Sequence, residues 1–482
     1  MAFPQIICDS HPRWVALYQY AASLVMENLD STEYRPGWLP NMTCMPGIGR
    51  TWQWDSCFMA VYAKYLNGMA APMNNLDNLY SLQREDGYIS MAYDIADGKP
   101  AFGERINPPL FAWCEWEYYR FSGDLERVKR VLGGLIKYFN WLKDHRRREN
   151  GLYFFEDTGS SGMDNSPRSG YPAKHLDGSD LCWVDLICQQ LLSARCIARL
   201  AHAAGNEAVQ KMFETEAAGL AELITQHHYR DNAGFYFDVF YPTGNALANK
   251  TVAGFWPLLS QAADPRQTAA LLKHLNDPDE FNTPHPVPSL SRDDPNYVPG
   301  GGYWLGGVWP PTFYMVVKGL DVNGFPGIAR DLSARHLDMM CQVLENPAYN
   351  SIWECYSPEY PTPATRGKTP DEAGVLVRDR FVGWGALGPV AMFIEDILGL
   401  DFCGAENTVF WRISQTGRHG IADFNFAGKT VSLICSGRAP ANKTIVVVKT
   451  DKAFTLALLV DGRSDNEYQR FEVPAGGGEF LI

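Results

Sequence analysis

The 482-residue chain carries 42 Lys and Arg against 55 Asp and Glu, for a formal charge of −13, and is 46% hydrophobic and 20% charged. It can therefore build a large core, most simply as one big domain plus a small one, while its acidic balance argues against nucleic acid as a partner. No apolar stretch approaches the length of a membrane-spanning helix, which argues against membrane insertion.

In chain order, the start "MAFPQIICDSHPRW" has no basic segment followed by a long apolar run, so no signal peptide is expected. Trp14, Leu17, Tyr18, Ala21 and Ala22 then open a helical stripe with apolar residues at i, i+3, i+4, i+7 and i+8. The same period recurs in Val128, Val131, Leu132, Leu135 and Ile136, in Val184, Ile187, Cys188, Leu191 and Leu192, and in Val390, Phe393, Ile394, Ile397 and Leu398. The basic cluster "KDHRRREN" at 143–150 falls where one such helix should end, and reads as a solvated cap that suits the helix dipole.

Long connections separate these helices, and three of them share a Gly followed by aromatics: "DGYIS" from 86, "NGLYFFEDTG" from 150 and "AGFYFDVFYPTG" from 233. That recurrence suggests a repeated helix-loop-helix unit with its loops gathered on one face, closed into a ring of hairpins. After Leu400 the period changes from 3.6 to 2, in "KTVSLIC" at 429–435, "KTIVVVK" at 443–449 and "FTLALLVDG" at 454–462. The expectation is a helical domain over 1–400 and a small, antiparallel, sandwich-like β domain over 401–482.

Eleven cysteines lie in apolar stretches such as "DLCWVDLICQQLL" without C-x-x-C spacing. They read as buried reduced thiols, which favours a reducing compartment and a cytoplasmic location.

The tryptophans keep unusual company in "RTWQWDSCF" at 50–58, "GGGYWLGGVWPP" at 300–311, "NSIWECYSPEYP" at 350–361 and "FVGWGALGP" at 381–389. A Trp in a helical stripe is ordinarily core. Beside Gly, Pro and carboxylates in loops, an indole face can stack on the C–H face of a sugar while an acid accepts bonds from its hydroxyls. Three carboxylates stand in such settings: Asp55, Asp164 in "GSSGMDNSPR" at 159–168, and Glu354. Cleaving a glycosidic bond needs one carboxylic acid to protonate the leaving oxygen and a second, ionised, to activate water or attack carbon. The alternative for each is a turn acid bonded to backbone, since Asp, Asn, Ser and Gly also form turns. No phosphate loop ending in GK[ST], no HExxH and no G-x-S-x-G occurs, so no metal, nucleotide or Ser triad is indicated.

Taken together, "WQWDSCF", "NPPLFAW" at 107–113, "SGMDNSPR", "GGYWLGGVWPPTFYMVVKGL" at 301–320, "IWECYSPE" and "RFVGWGALGP" from 380 resemble the trehalase-like clan of inverting glycoside hydrolases. They are most similar to glycoside hydrolase family 63 and its mannosylglycerate hydrolase-like branch. The resemblance implies an (α/α)6 barrel without a cofactor or metal, acting on a small carbohydrate. It makes Asp164 the general acid and Glu354 the general base, with Glu359 of "PEYP" a rival base, and implies carboxyls about 6.5–9.5 Å apart to admit a water. It makes Trp52, Trp54, Asp55, Tyr303, Trp304, Trp309 and Trp384 sugar-holding residues. Asn107 stands where the family often has Gln, and Leu305 where it often has Arg. Gly162 would let a substrate approach Asp164 closely, and Arg168 would partner the loop or the substrate. The activity implied is exo-acting, inverting hydrolysis of a small α-linked glucoside or mannoside. Its rivals are a sugar epimerase, isomerase or uronate lyase recruiting His175 or His285, and a carbohydrate-binding protein without catalysis.

Overall fold

The computed structural model describes residues 3–30, 35–169, 180–369, 371–439, 443–462 and 467–482. Its helical part runs through α1 (Pro12–Asp30), α2 (Gln53–Ala63), α3 (Asn74–Tyr80), α4 (Phe111–Ser122), α5 (Leu125–His145), α6 (Val184–Ala203), α7 (Glu207–His227), α8 (Trp256–Leu259), α9 (Pro265–Asn276), α10 (Pro310–Val322), α11 (Pro326–Glu345) and α12 (Val382–Gly385), which a π-helical segment, Leu387–Ile397, continues.

Burial sorts these helices into two kinds. Every residue of α2 is buried, as is nearly all of α6 and α10, whereas α7 buries only Phe213, Ala217, Leu220 and Ile224 along its 21 residues. A helix apolar all round must be surrounded, and one with a single apolar stripe lies outside. The packing follows suit. Helix α2 touches α4, α4 touches α6, α6 touches α8 and α8 touches α10, while α10 touches α12 and the π-helical segment, both of which return to α2. Outside them, α3 packs on α2, α5 on α4 and α6, α7 on α6, and α11 on α10.

The three Gly-aromatic loops each follow an outer helix. Gly87, Gly151 and Gly234 all have positive φ, between 64° and 103°, where a side chain would strain the turn. The aromatics that follow, Tyr88, Tyr153 and Phe235, are buried. Short strands brace the loops: β2 (Arg50–Trp52) pairs with β3 (Ala92–Asp94), and β4 (Leu181–Cys182), β5 (Tyr229–Arg230), β6 (Phe235–Tyr236) and β7 (Val239–Phe240) pair as β4 with β7 and β5 with β6.

The C-terminal region holds β8 (Leu400–Cys403), β9 (Thr408–Ile413), β10 (His419–Phe426), β11 (Lys429–Cys435), β12 (Ile445–Thr450), β13 (Phe454–Val460), β14 (Gln469–Val473) and β15 (Gly478–Leu481). Two sheets form, one ordered β14-β13-β9-β8 and one ordered β10-β11-β12-β15, with β1 (Gln5–Cys8) added at the β10 edge. Phe402 meets Phe424 and Phe426 across the sheets at 4.5 and 5.2 Å.

Three sequence expectations need correction. The sheets are not wholly antiparallel, because β13 runs parallel to β9: the chain leaves that sheet to build β10–β12 and re-enters in the same direction, as a long crossover permits. The stripe from Val390 forms a π-helix; Leu387–Ile397 is buried apart from Glu395, so its apolar pattern has no face to fix the winding. The basic cluster is only partly solvated, since Arg146 is buried in an ion pair with Glu156 and lies 4.9 Å from the Trp141 ring centre.

Candidate active site

The loops entering the buried helices meet at one end of the helical part, around a cavity of about 120 Å³. Trp52 and Trp54 arrive at the start of α2, Asn107 just before α4, Asp164 in the loop before α6, Trp309 as the residue preceding α10, and Trp384 in α12. The N-termini of α2, α4 and α10 thus turn their positive dipole ends toward the carboxylates.

Asp164 is half-buried in this wall. Its loop is pinned from both sides. Thr158 Oγ1 donates to the Asp164 carbonyl at 2.7 Å, and Ser160 N donates to Asp157 Oδ1 at 2.8 Å. The neighbouring Asn165 ties the loop to the opposite wall, donating from Nδ2 to Gly302 O at 3.0 Å and accepting from Trp304 N at 2.8 Å. Gly162 has φ +77° and the Trp54 indole directly over it; a Cβ there would lie 2.6 Å from the ring. The loop can lie flat on Trp54 only with glycine at this position.

Glu354 is 2% exposed. Burial pushes its carboxyl above the ordinary value, and Arg378 and Tyr303 oppose that rise. Arg378 Nη1 reaches Oε1 at 2.6 Å, Tyr303 Oη donates to the same oxygen at 3.0 Å, and Trp384 Nε1 holds the Glu354 carbonyl at 2.7 Å. Tyr303 itself has φ +65°, uncommon for a bulky residue, and its amide donates to Thr365 O at 2.6 Å. Asp55, 4% exposed, is pushed up to about 8 by burial, with the nearby Glu354 charge adding to the rise. Asn107 Oδ1 is buried and meets no partner among the described residues, leaving an acceptor at the cavity wall.

The indoles form a continuous wall. Trp304 and Trp309 stack at 4.0 Å and 5°, Trp54 meets Trp384 edge-on at 5.7 Å, and Trp309 meets Trp384 edge-on at 5.7 Å.

Ten of the eleven residues expected from Trp52 to Trp384 to serve catalysis or binding, other than Glu354 itself, therefore line one cavity: Trp52, Trp54, Asp55, Asn107, Gly162, Asp164, Tyr303, Trp304, Trp309 and Trp384. The eleventh, Arg168, does not. Its guanidinium is 1% exposed and makes four bonds of 2.6–2.8 Å to Asp185 and Asp238, over the Trp183 ring at 4.4 Å. With four N–H groups on two carboxylates and the fifth on Met163 Sδ at 3.3 Å, Arg168 is a partner for the loop, anchoring it to the first turn of α6, and has no donors left for substrate. Glu359 also lies off the cavity, held by Tyr297 at 2.9 Å and Arg292 at 3.0 Å. His285 is fully buried against His336, Nε2 to Nδ1 2.7 Å apart, and does not line the cavity either. His175 lies outside the described residues.

Sequence reasoning missed Arg378 and Asn165. Asn165 was within reach, as the residue after the candidate acid in a loop with few long side chains. Arg378 was not: "VLVRDR" marks nothing by itself, and only the pairing of Trp353 with Asp379 and of Glu354 N with Arg378 O brings it to Glu354.

Residues 49–368 match the family model for the mannosylglycerate hydrolase MGH1-like glycoside hydrolase domain. Mannosylglycerate hydrolase from Thermus thermophilus is 37% identical over 358 residues, covering 60% of this chain and 86% of that protein. Among solved structures, the GH63 mannosylglycerate hydrolase from Thermus thermophilus in complex with glucose superposes with TM-score 0.61 at 20% identity, over 78% of this chain and all of that one. A GH78 family rhamnosidase of Bacillus superposes with TM-score 0.69 at 14% identity over 93% of this chain and 41% of that one, a likeness of fold. The extent of the family match places the chain in the mannosylglycerate hydrolase MGH1-like family of glycoside hydrolases.

Proposed function

We propose that the protein hydrolyses a small α-linked glucoside or mannoside from its non-reducing end with inversion, with Asp164 as general acid and Glu354 as general base. The observation carrying this reading is that both carboxylates share one small cavity with five indoles and an amide oxygen that has no partner among the described residues. A general base must be ionised before it can take a proton from water, and Arg378 with Tyr303 favours that state of Glu354 against burial. Asp164 protonates the leaving oxygen as water attacks the opposite face of the sugar ring, which requires the carboxyls about 6.5–9.5 Å apart. Trp52, Trp54, Trp304 and Trp309 offer apolar faces, and Asp55 and Asn107 offer polar contacts to hydroxyls. The cavity's size suits one sugar ring, which supports exo action.

The cyclic contacts among α2, α4, α6, α8, α10 and α12 support an (α/α)6 barrel over residues 1–400, with 401–482 as a separate β unit that borrows β1. Among the described residues no helix is long and apolar enough to cross a membrane. Eleven buried, unpaired cysteines support a cytoplasmic site of action.

The test is a screen of α-glucosides, α-mannosides and their glyceric acid glycosides, with the product's anomeric configuration read by NMR immediately after cleavage. Asp164→Asn and Glu354→Gln should each lower kcat/KM by about 10²–10⁴ while the protein stays folded. An active double variant, or a product that retains its configuration, would overturn the assignment. Unchanged mass would indicate isomerisation, an unsaturated product a lyase, and binding without turnover a carbohydrate-binding protein.

A further inference from the structure

A second cavity, of about 780 Å³, opens at the other end of the same helices. Its wall is built from their C-terminal ends, among them Lys64 after α2, Arg120 in α4, Arg199 in α6 and Lys318 in α10, and is closed by Asp401 and Arg412 of the β region. It shares no residue with the sugar pocket.

Seven Lys and Arg face five Asp and Glu in this wall, on a chain whose net charge is −13. Five of those cations are matched. Lys64 and Lys318 pair with Glu395 at 3.7 and 3.0 Å, Arg120 pairs with Asp401 at 2.7 Å, and Arg330 and Arg412 share Asp461 at 2.6 and 3.1 Å. The other two, Arg195 and Arg199, have no carboxylate within 4.0 Å among the described residues.

These two arginines sit one turn apart on α6, where side chains four residues apart are neighbours. Arg195 is half-buried and spends one nitrogen on the carbonyls of Ser260 and Gln261, at 2.8 and 3.2 Å. Burial, and then the charge of Arg199, lower its basicity, as expected for like charges brought together without a counter-charge. Arg199 lies over the Trp116 indole, 5.5 Å from the ring centre. Stacking of this kind leaves the in-plane donors of a guanidinium free for an oxyanion.

We propose that Arg195 and Arg199 form the anchor of an anion-binding site in this cavity, and that its ligand is a phosphate-bearing small molecule. Two guanidiniums lacking a counter-charge match the charge of about −2 on a phosphate monoester, and their forks match its oxygens. The volume exceeds what free phosphate needs, and Trp113, Trp116 and Tyr468 in the wall offer packing for an organic portion such as a sugar.

Thermal unfolding of the full chain tests this, titrating inorganic phosphate and, separately, a hexose 6-phosphate at constant ionic strength. The wild type should show a saturable rise in Tm. Arg199→Gln, which removes no hydrogen bond found in the structure, should shift the midpoint of that rise at least about tenfold to higher ligand, and Arg195→Gln/Arg199→Gln should abolish it. Glycosidase activity without phosphate should be unchanged in Arg199→Gln. A tighter response to hexose 6-phosphate would identify the ligand as a phosphosugar, and an equal or tighter response to inorganic phosphate would identify it as the free anion; either supports the site. No saturable response to either probe, or the same response in wild type and both variants, would overturn it.

Discussion

The two ends of the helical part use the same residue types to opposite effect. At the proposed sugar pocket, Asp55 and Glu354 are buried and have both been pushed above the ordinary carboxylate range, with the guanidinium of Arg378 paired to Glu354 at 2.6 Å. At the opposite end Glu395 is also largely withdrawn from solvent, yet Lys318, Lys64 and the hydroxyls of Tyr65 and Tyr314 outweigh its desolvation and hold it at about 2. The carboxylates of the first end are under-compensated. Glu395 at the second is over-compensated and binds helices together. Unsatisfied charge is costly to keep, so the raised carboxylates at the first end, like the unmatched Arg195 and Arg199 at the second, mark where a ligand or a reaction supplies what the fold withholds.

Matched substitutions should separate the two ends. The largest effect on folding is expected for Lys318→Met, which strands Glu395 and Asp396 in the interior and should cost about 3–5 kcal/mol in denaturant unfolding. In the wild type the folded value of Glu395 lies below its ordinary 4.5, so its stabilisation is fully present above pH 4.5 and is lost as the pH falls toward 2. Lys318→Met should therefore remove that part of the acid dependence while kcat at neutral pH stays near wild type. A variant that unfolds no more readily than wild type would break the comparison.

Arg378→Gln is the counterpart at the sugar pocket, with a smaller effect on stability because the Arg378 side chain is 40% exposed. Burial already raises Glu354, and Arg378 is the largest influence opposing it. Without the guanidinium the carboxyl should rise further, so the acidic limb of the kcat/KM profile should move to higher pH. Arg378→Lys should restore most of the profile. A limb that stays in place while overall activity falls would mean that Arg378 only shapes the loop.

Much of this contrast was legible in the sequence at the first end and little of it at the second. Trp52, Trp54, Asp55 and Glu354 declare themselves because Trp, Gly and acids in loops have few purely structural reasons to recur together. Lys318, Glu395 and Asp396 sit in helical stretches, where a charged residue reads as a solvent-facing one. Only the closure of the helices brings the three within 4.0 Å. The same limit explains Arg168: its place beside Asp164 in sequence suggests a role in the pocket, but the pairing with Asp185 and Asp238 depends on contacts 17 and 70 residues away. The period-2 strands were readable one by one, but the parallel pairing of β9 with β13 was not, because local alternation carries no information on which strands become neighbours.

The smallest expected effect is the sharpest on motif register. Glu359 follows Glu354 by five residues in the same acidic stretch and is the natural alternative base, yet its carboxylate is engaged by Tyr297 and Arg292 outside the cavity. Glu359→Gln keeps the shape and an acceptor for the Tyr297 hydroxyl, and loses one ion pair to a half-exposed arginine. Such a pair is worth about 0–1 kcal/mol, and no reacting group is touched. Its kcat/KM should stay within about twofold of wild type across the pH range, against the loss expected for Glu354→Gln. A large fall in Glu359→Gln with an active Glu354→Gln would move the base by five residues and with it the side of the loop that faces the sugar.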